Sequence, residues 1–269
     1  MRFRTFLQTC WQLLHPVSYP WPAVDLQLPN SRIHLVGSIH MGTRPMSPLP
    51  DPLLKQLQAA TALIVEADIL NIPAVMPNSS DRPPLAQRLS AELLAALRQR
   101  CAESDLSIDN LDRLPAWQIA LMLQSHQAMR LGLRPEYGID YQLLQAARDL
   151  NKPVIELEGA DTQMAMLTAL PDDGQQLLDD SLEHWHTNAR LLQTMISWWL
   201  EGPPRHQRHQ MPEGLLPSSF GQSLSDVLIR QRNQQWQQAF LQLPAGRYLA
   251  AVGALHLYAE HNLPSLFSR

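Results

Sequence analysis

"HLVGSIHMG", residues 34–42, and "LAAVGALHLYAE", residues 249–260, carry one pattern at opposite ends of the chain. In each, an apolar run stops at a glycine, two residues follow, and a histidine comes next. Short continuous apolar runs of this kind predict strands buried on both faces. A glycine at the end of such a strand permits a tight turn or a close backbone approach. The residue three places later can then point back over the sheet edge. The spacing therefore predicts that Gly37–His40 and Gly253–His256 lift two histidines onto the rim of one sheet. Two like motifs so far apart also predict one site built from both ends of the chain.

Working outward, "AVDLQL" (23–28) alternates apolar and polar residues as a half-buried strand does, and "PNSR" (29–32) reads as a turn. Together they predict a β-hairpin leading into the first motif. Leu53–Leu63 has helical periodicity, and "ALIVEAD" (62–68) is a buried strand ending in charge. "LNIPAVMPNSSDRPP" (70–84) is a loop. Helices are predicted over 86–103, with a fresh start near Ser90, and over 115–132 and 139–150. "NKPVIELEG" (151–159) returns to strand, residues 160–201 are helical, and 223–241 form a further helix. "GRYLAAVG" (246–253) is the last strand. The expected fold class is α/β, with a central mixed sheet formed by strands from both chain ends and flanked by helices. Residues 1–269 read as a single domain with a mainly helical insert near 70–135. Residues 1–18 read as an amphipathic helix, because Phe3, Phe6, Leu7, Cys10, Leu13 and Leu14 fall on one face. Residues 201–219 form a Pro-rich loop lying between helices, and a lid is one expectation for it.

Composition narrows the function. A formal charge of −4 and a pI near 6.2 leave no basic footprint for nucleic acid. Cys10 and Cys101 are too few for a disulfide framework and read as free thiols. No segment is apolar enough over its length to span a bilayer. The arginine-bearing N-terminus is followed by no small-residue cleavage site, so the expected location is cytoplasmic, with the periplasm as the alternative.

Four strand-like runs end beside a group able to do chemistry: His40, Glu66, Glu158 and His256. Open α/β sheets bind their ligands at the carboxyl ends of the strands. Two imidazoles with one or two carboxylates suit a divalent transition metal such as Zn, Mn, Co or Fe. Three protein ligands would leave a position for water, and a spare carboxylate could take its proton. The same set also suits His/Glu acid–base chemistry without a metal. His34 reads as a packing residue. His184 and His186 face different sides of a helix, and His206 and His209 lie in the Pro-rich loop. His15, His126 and His261 have no evident partner. Met195, Trp198 and Trp199 sit at core spacing. No HExxH, GxSxG, P-loop or GxGxxG pattern is present.

"HLVGSIHMG", "ALIVEAD", "YGIDYQLLQAARDLNKPVIELEGADTQ", "RQRNQQW" and "AVGALHLYAEHNLPSLF" resemble, in order, the blocks of the TraB/GumN family, over about Trp21 to Phe267. That family is related to the animal Tiki proteins, metal-dependent proteases that clip N-terminal segments. The resemblance implies a fold of the erythromycin-esterase/ChaN-like type. It places the shared features on Gly37 and His40, Glu66, Arg232 and Asn233, and Gly253 and His256. Asp140 and Glu158 also fall in recurring blocks, and Asp140 reads equally as a helix N-cap. Ser38 stands where Thr is common in the family and keeps the hydroxyl. Many relatives are exported or membrane-bound.

The combined expectation is a metal-dependent hydrolase, a peptidase, with His40, His256 and Glu66 as metal ligands. Glu66 or Glu158 would act as base, and Arg232 or Asn233 would stabilise developing charge at a substrate carbonyl. The substrate would be a peptide or a small molecule. The alternative is a non-catalytic protein of the same fold that binds a peptide or haem, with His as an axial ligand.

Overall fold

The computed structural model describes residues 20–71, 82–202, 226–259 and 261–267. The expected N-terminal amphipathic helix lies outside these residues, as does nearly all of the Pro-rich loop. Strand β1 (Ala23–Gln27) turns into β2 (Ser31–Ser38), helix α1 (Asp51–Ala59) leads to β3 (Ala62–Val65), and helices α2 (Leu85–Arg88), α3 (Ala91–Glu103), α4 (Ala116–Arg130) and α5 (Ile139–Asp149) follow. After β4 (Val154–Glu156) come α6 (Ala160–Thr168), α7 (Gln175–Glu183) and α8 (Trp185–Glu201). A π-helical turn (Asp226–Arg230) runs into α9 (Gln231–Leu241), then β5 (Gly246–Gly253), the single turn α10 (Leu255–Tyr258) and a 3-10 turn (Pro264–Phe267).

The five strands form one mixed sheet in the order β1-β2-β5-β3-β4. Only β1 is antiparallel to its neighbour. β5 inserts between β2 and β3 and is parallel to both, and β4 is parallel to β3. The pairing of β2 with β5 runs without a break from Ser31↔Gly246 to Ser38↔Gly253. Strands 31–38 and 246–253 thus make the centre of the sheet, as the opening motifs predicted. Their interiors are apolar because helices cover both faces: Ile33, Leu35, Val36, Leu249, Ala250, Ala251 and Val252 are all fully buried. Because β2, β5, β3 and β4 run the same way, their carboxyl ends share one edge.

Helix limits follow local chemistry. The Ser90 hydroxyl accepts from Leu93 N and starts α3, separating it from the short α2. Where helical periodicity ran on from Leu53 to Leu63, α1 stops at Ala59 and β3 begins at Ala62, because Ala62–Val65 pair with β5. Two cores result. One surrounds the sheet and includes Met195, Trp198 and Trp199 of α8. The other lies wholly among helices, with Leu97, Leu111, Trp117, Leu123, Leu178 and Trp185 in its interior. The expected insert at 70–135 supplies the first part of this second core, and residues 164–185 complete it.

Candidate active site

The shared carboxyl edge brings the four strand-end groups into one row: His40 beyond β2, His256 beyond β5, Glu66 beyond β3 and Glu158 beyond β4. The motif glycines act through close approach, and neither has a positive φ. The Gly253 N–H donates to Glu66 Oε1 at 2.6 Å, and a Cβ at Gly253 would stand 3.3 Å from that same oxygen. A side chain there would push the carboxylate out of place. Gly37 offers its carbonyl to Trp199 Nε1 at 2.9 Å, which ties α8 to the end of β2.

Arg232 sits at the middle of the row. Its guanidinium donates through Nη2 to Glu66 Oε2 and, at 3.0 Å, to Glu158 Oε2, while Nε donates to Glu158 Oε1 at 2.8 Å. Nη1 lies 3.2 Å from His256 Nε2. The Trp236 ring lies under the guanidinium, 4.7 Å from ring centroid to Cζ, and its indole N–H donates to Glu158 Oε1 at 3.0 Å. Gln163 of α6 donates to both carboxylates, at 3.2 Å to Glu66 and 3.4 Å to Glu158. Asn233 faces the other way, behind His256. Its Oδ1 is 2.7 Å from His256 Nδ1, and its Nδ2 donates to the His261 carbonyl at 2.9 Å. Because the amide oxygen can only accept, His256 carries its proton on Nδ1 and turns the Nε2 lone pair towards Arg232.

The electrostatics agree with this arrangement. Burial pushes the Glu66 carboxyl up. Arg232 first, then His256, His40 and the Gly253 N–H, outweigh that and hold its pKa at about 2. Burial also lowers His256, against the pull of Glu66, and the charges of Arg232 and His40 carry it down to about 3. Glu66 is therefore ionised and His256 neutral at ordinary pH.

His40 is different. Its side chain is 66% exposed, while that of its partner Asp140 is 6% exposed. Nδ1 lies 2.9 Å from Asp140 Oδ2. The nearby Asp140 charge, and the hydrogen bond to it, raise the imidazole to about 9 against the effect of desolvation. With Nδ1–H given to Asp140, Nε2 is the nitrogen left for solvent or substrate. Helix α5 delivers Asp140 because Ile139 N donates to the Ile39 carbonyl at 2.9 Å. Gly138 allows this: a Cβ there would meet the His40 carbonyl oxygen at 2.2 Å. Asp140 is thus in the first turn of α5, whose N-cap is Gly138.

Of the residues picked from sequence, the structure gathers Glu66, Glu158, Arg232 and His256 into one hydrogen-bonded cluster. It sets His40 beside the cluster and Asn233 behind it. Sequence reading missed Gln163 and Trp236. Trp236 lies one helical turn beyond Arg232, which it supports, and that spacing is the signal that could have found it; Gln163 lies five residues beyond Glu158 and has no such signal. His34 is the packing residue expected, bonded to Trp21 and Asp25. Cys101 is a free, buried thiol, which burial pushes up to about 11.

Whether the site suits a metal turns on Arg232. Among the described residues, no three of His, Cys, Asp and Glu stand together as a ligand set. Two of the three expected donors, His256 Nε2 and Glu66 Oε2, do converge on a single cation, and that cation is the guanidinium. Imidazole and carboxylate are the donor types a divalent transition metal takes, and in this structure Arg232 occupies the point on which they converge.

Comparison with known proteins follows the same lines. The family model described as TraB/PrgY/gumN matches residues 24–269. The chain is 52% identical over 261 residues to a protein of Escherichia coli described as uncharacterized protein YbaP, with 97% of each chain covered. It is 52% identical over the same length, with the same coverage, to the protein so described in Shigella flexneri. No described helix is long and apolar enough to cross a membrane.

Proposed function

Because the chain belongs to the TraB/PrgY/gumN family, we propose that the rim holding His40, Glu66, Glu158, Arg232 and His256 hydrolyses an amide bond, as a metal-dependent peptidase. The observation that carries this reading is the row itself. Two imidazoles that turn Nε2 to the rim, His256 neutral against Arg232 and His40 exposed on Asp140, and two buried carboxylates line the carboxyl edge of four parallel strands around one guanidinium. His40, Glu66 and His256 would hold the metal. When bound, it would supply Lewis acidity, polarising the carbonyl and making water a better nucleophile at neutral pH.

The chain's own residues would do the remainder. Asn233 and Asp140 fix the two imidazoles so that each presents Nε2. Arg232, released from Glu66, would meet the negative charge that develops on the carbonyl oxygen. Glu158, held by Trp236, would keep Arg232 in reach through Nε. As water oxygen bonds to the carbonyl carbon, its proton passes to a neighbouring carboxylate or imidazole. That proton then goes to the departing amine nitrogen when the C–N bond breaks.

A second reading has its own observation. The exposed His40 with buried Asp140 behind it is a histidine–carboxylate pair, which suits proton transfer without a metal. Elemental analysis of the purified full chain, followed by peptide cleavage with and without added Zn, Mn or Co, separates the two. Near one transition metal per chain, lost in the His40→Ala/His256→Ala double variant, supports the metal reading. Cleavage that survives chelation and needs His40 and Asp140 supports the second. Failure to cleave under every condition would leave a non-catalytic binding protein, which binding of peptide or haem would then reveal. A cytoplasmic location is part of the same proposal. Fractionating cells that express the full chain, beside a periplasmic marker enzyme, tests it.

A further inference from the structure

At the opposite end of the same strands lies a cavity of about 370 Å³, lined in part by Asp25, Arg32, His34, Lys55, Arg247 and Tyr248. It is separate from the catalytic rim. Arg32 is near the start of β2, and six residue steps along the strand, about 20 Å at ~3.3 Å per residue, separate it from Ser38. Arg32 and Arg247 are Cα partners on adjacent parallel strands, so their side chains leave the same face of the sheet side by side. Lys55 comes to the same cavity from α1.

Three cations have been gathered where like charges repel. Among the described residues none of the three is paired with a carboxylate. Among the described residues the Arg32 guanidinium donates through Nε, to Gln27 Oε1 at 3.0 Å, and its terminal nitrogens face the cavity's ligand space. Asp25, the acid of the lining among the described residues, is engaged with His34 at 2.8 Å. Trp21 Nε1 donates to His34 Nε2 at 3.2 Å, so both ring nitrogens of His34 are engaged away from the cations. Among the described residues the lining therefore holds three cationic side chains and one carboxylate, in a chain whose overall charge is −4.

We infer that this cavity binds a phosphoryl dianion, with Arg32 and Arg247 as paired guanidinium donors and Lys55 as the third cation. Guanidinium groups match phosphate oxygens in geometry as well as charge, which is why two arginines side by side favour a phosphoryl group over a simple halide. A soluble phosphate monoester fits better than a lipid headgroup. The exposed large apolar side chains among the described residues are Leu150, Leu200 and Leu241, and none lines this cavity to enter a bilayer.

The test is calorimetry and thermal unfolding of the full chain with inorganic phosphate, against sodium chloride at matched ionic strength. The expected result is saturable binding of phosphate that chloride does not reproduce, and a higher Tm with phosphate than with chloride. Arg32→Gln/Arg247→Gln should weaken binding at least tenfold. It should also unfold no earlier than wild type when phosphate is absent, because repulsion has been removed. Lys55→Gln, on an exposed helix face, gives an independent variant and should weaken binding by a smaller factor. A phosphate effect no larger than that of chloride overturns the inference, as does unchanged binding in the double variant. Co-sedimentation with phosphatidic acid vesicles, without any response to free phosphate, would overturn the soluble ligand in favour of a membrane surface.

Discussion

Exchanging Arg232 for methionine should make this protein's stability depend on pH in the opposite sense. Arg232, Glu66 and Glu158 have side chains only 12%, 9% and 6% exposed. Methionine fills similar space but leaves two buried carboxylates facing one another without a cation. Breaking a buried ion pair by removing one partner costs about 3–5 kcal/mol. The Glu66 pKa leads to a similar size. A fall from 4.5 to about 2 corresponds to about 3 kcal/mol at ~1.4 kcal/mol per unit. In the wild type the Glu66 pKa is depressed on folding. Its contribution is therefore complete above about pH 4.5 and is lost as pH falls towards 2. Without Arg232, burial and repulsion between the two carboxylates outweigh what His256, His40 and the Gly253 N–H still supply, and lift the carboxyl pKa above its ordinary value. A carboxyl then takes up a proton on folding at mildly acid pH, and the penalty grows as pH rises. The variant should lose about 3–5 kcal/mol at pH 8 and markedly less at pH 5. At ~2–4 °C per kcal/mol, the pH 8 loss is a Tm drop of roughly 10 °C. Urea midpoints followed by tryptophan fluorescence at pH 5, 6, 7 and 8 measure it. A loss below about 1 kcal/mol, or one that is the same at pH 5 and pH 8, would show that the cluster does not hold ionised carboxylates on Arg232.

Three further outcomes can be checked. In the metal-free protein the His40 ring should titrate near 9, so its stabilising contact with Asp140 is complete below 6.5 and lost as pH rises through 9. In Asp140→Asn the titration should move down towards 6.5, and histidine C–H resonances showing one pKa in both proteins would remove Asp140 as the cause. Gly253→Ala places a methyl group 3.3 Å from Glu66 Oε1 and should cost about 1–3 kcal/mol by overpacking. An unchanged urea midpoint would mean that the carboxylate can shift freely. Asn233→Ala should reduce metal affinity or turnover by about 10–100-fold through loss of the His256 tautomer, and full activity in this variant would deny Asn233 that positioning role.

Much of the sheet was legible because its central strands are buried on both faces. Ile33–Val36 and Leu249–Val252 have no polar residue beyond His34, and such runs admit few other readings. The four rim groups could be read for a related reason: a polar residue within three places of the end of a strand has few places to go except the edge. The partners of those groups were harder. Asp140 stands 100 residues from His40 in sequence, and only the packing of α5 against the segment after β2 joins them. Arg232 was legible as a candidate through its motif, yet nothing in the sequence says that it would lie between two carboxylates. The basic cavity was hidden for the same reason, since Arg32 and Arg247 become neighbours only through the register of β2 with β5. The helical core around Trp117 and Trp185 draws on residues from 85 to 185, and periodicity alone assigns no partner to a helix face.

The insertion of β5 between β2 and β3 also sets a timetable for synthesis. The ribosome delivers Ser31–Ser38 roughly 200 residues before Gly246–Gly253. At about 5–20 residues per second, β2 and β3 wait about 10–40 s for the strand that joins them. During that interval two apolar strands have open edges, the kind of surface that attracts chaperones or other nascent chains. No shorter intermediate holds His256, Asn233 or Arg232 in place, so a growing chain has no assembled rim, and none of the chemistry proposed for it, before its last strand arrives.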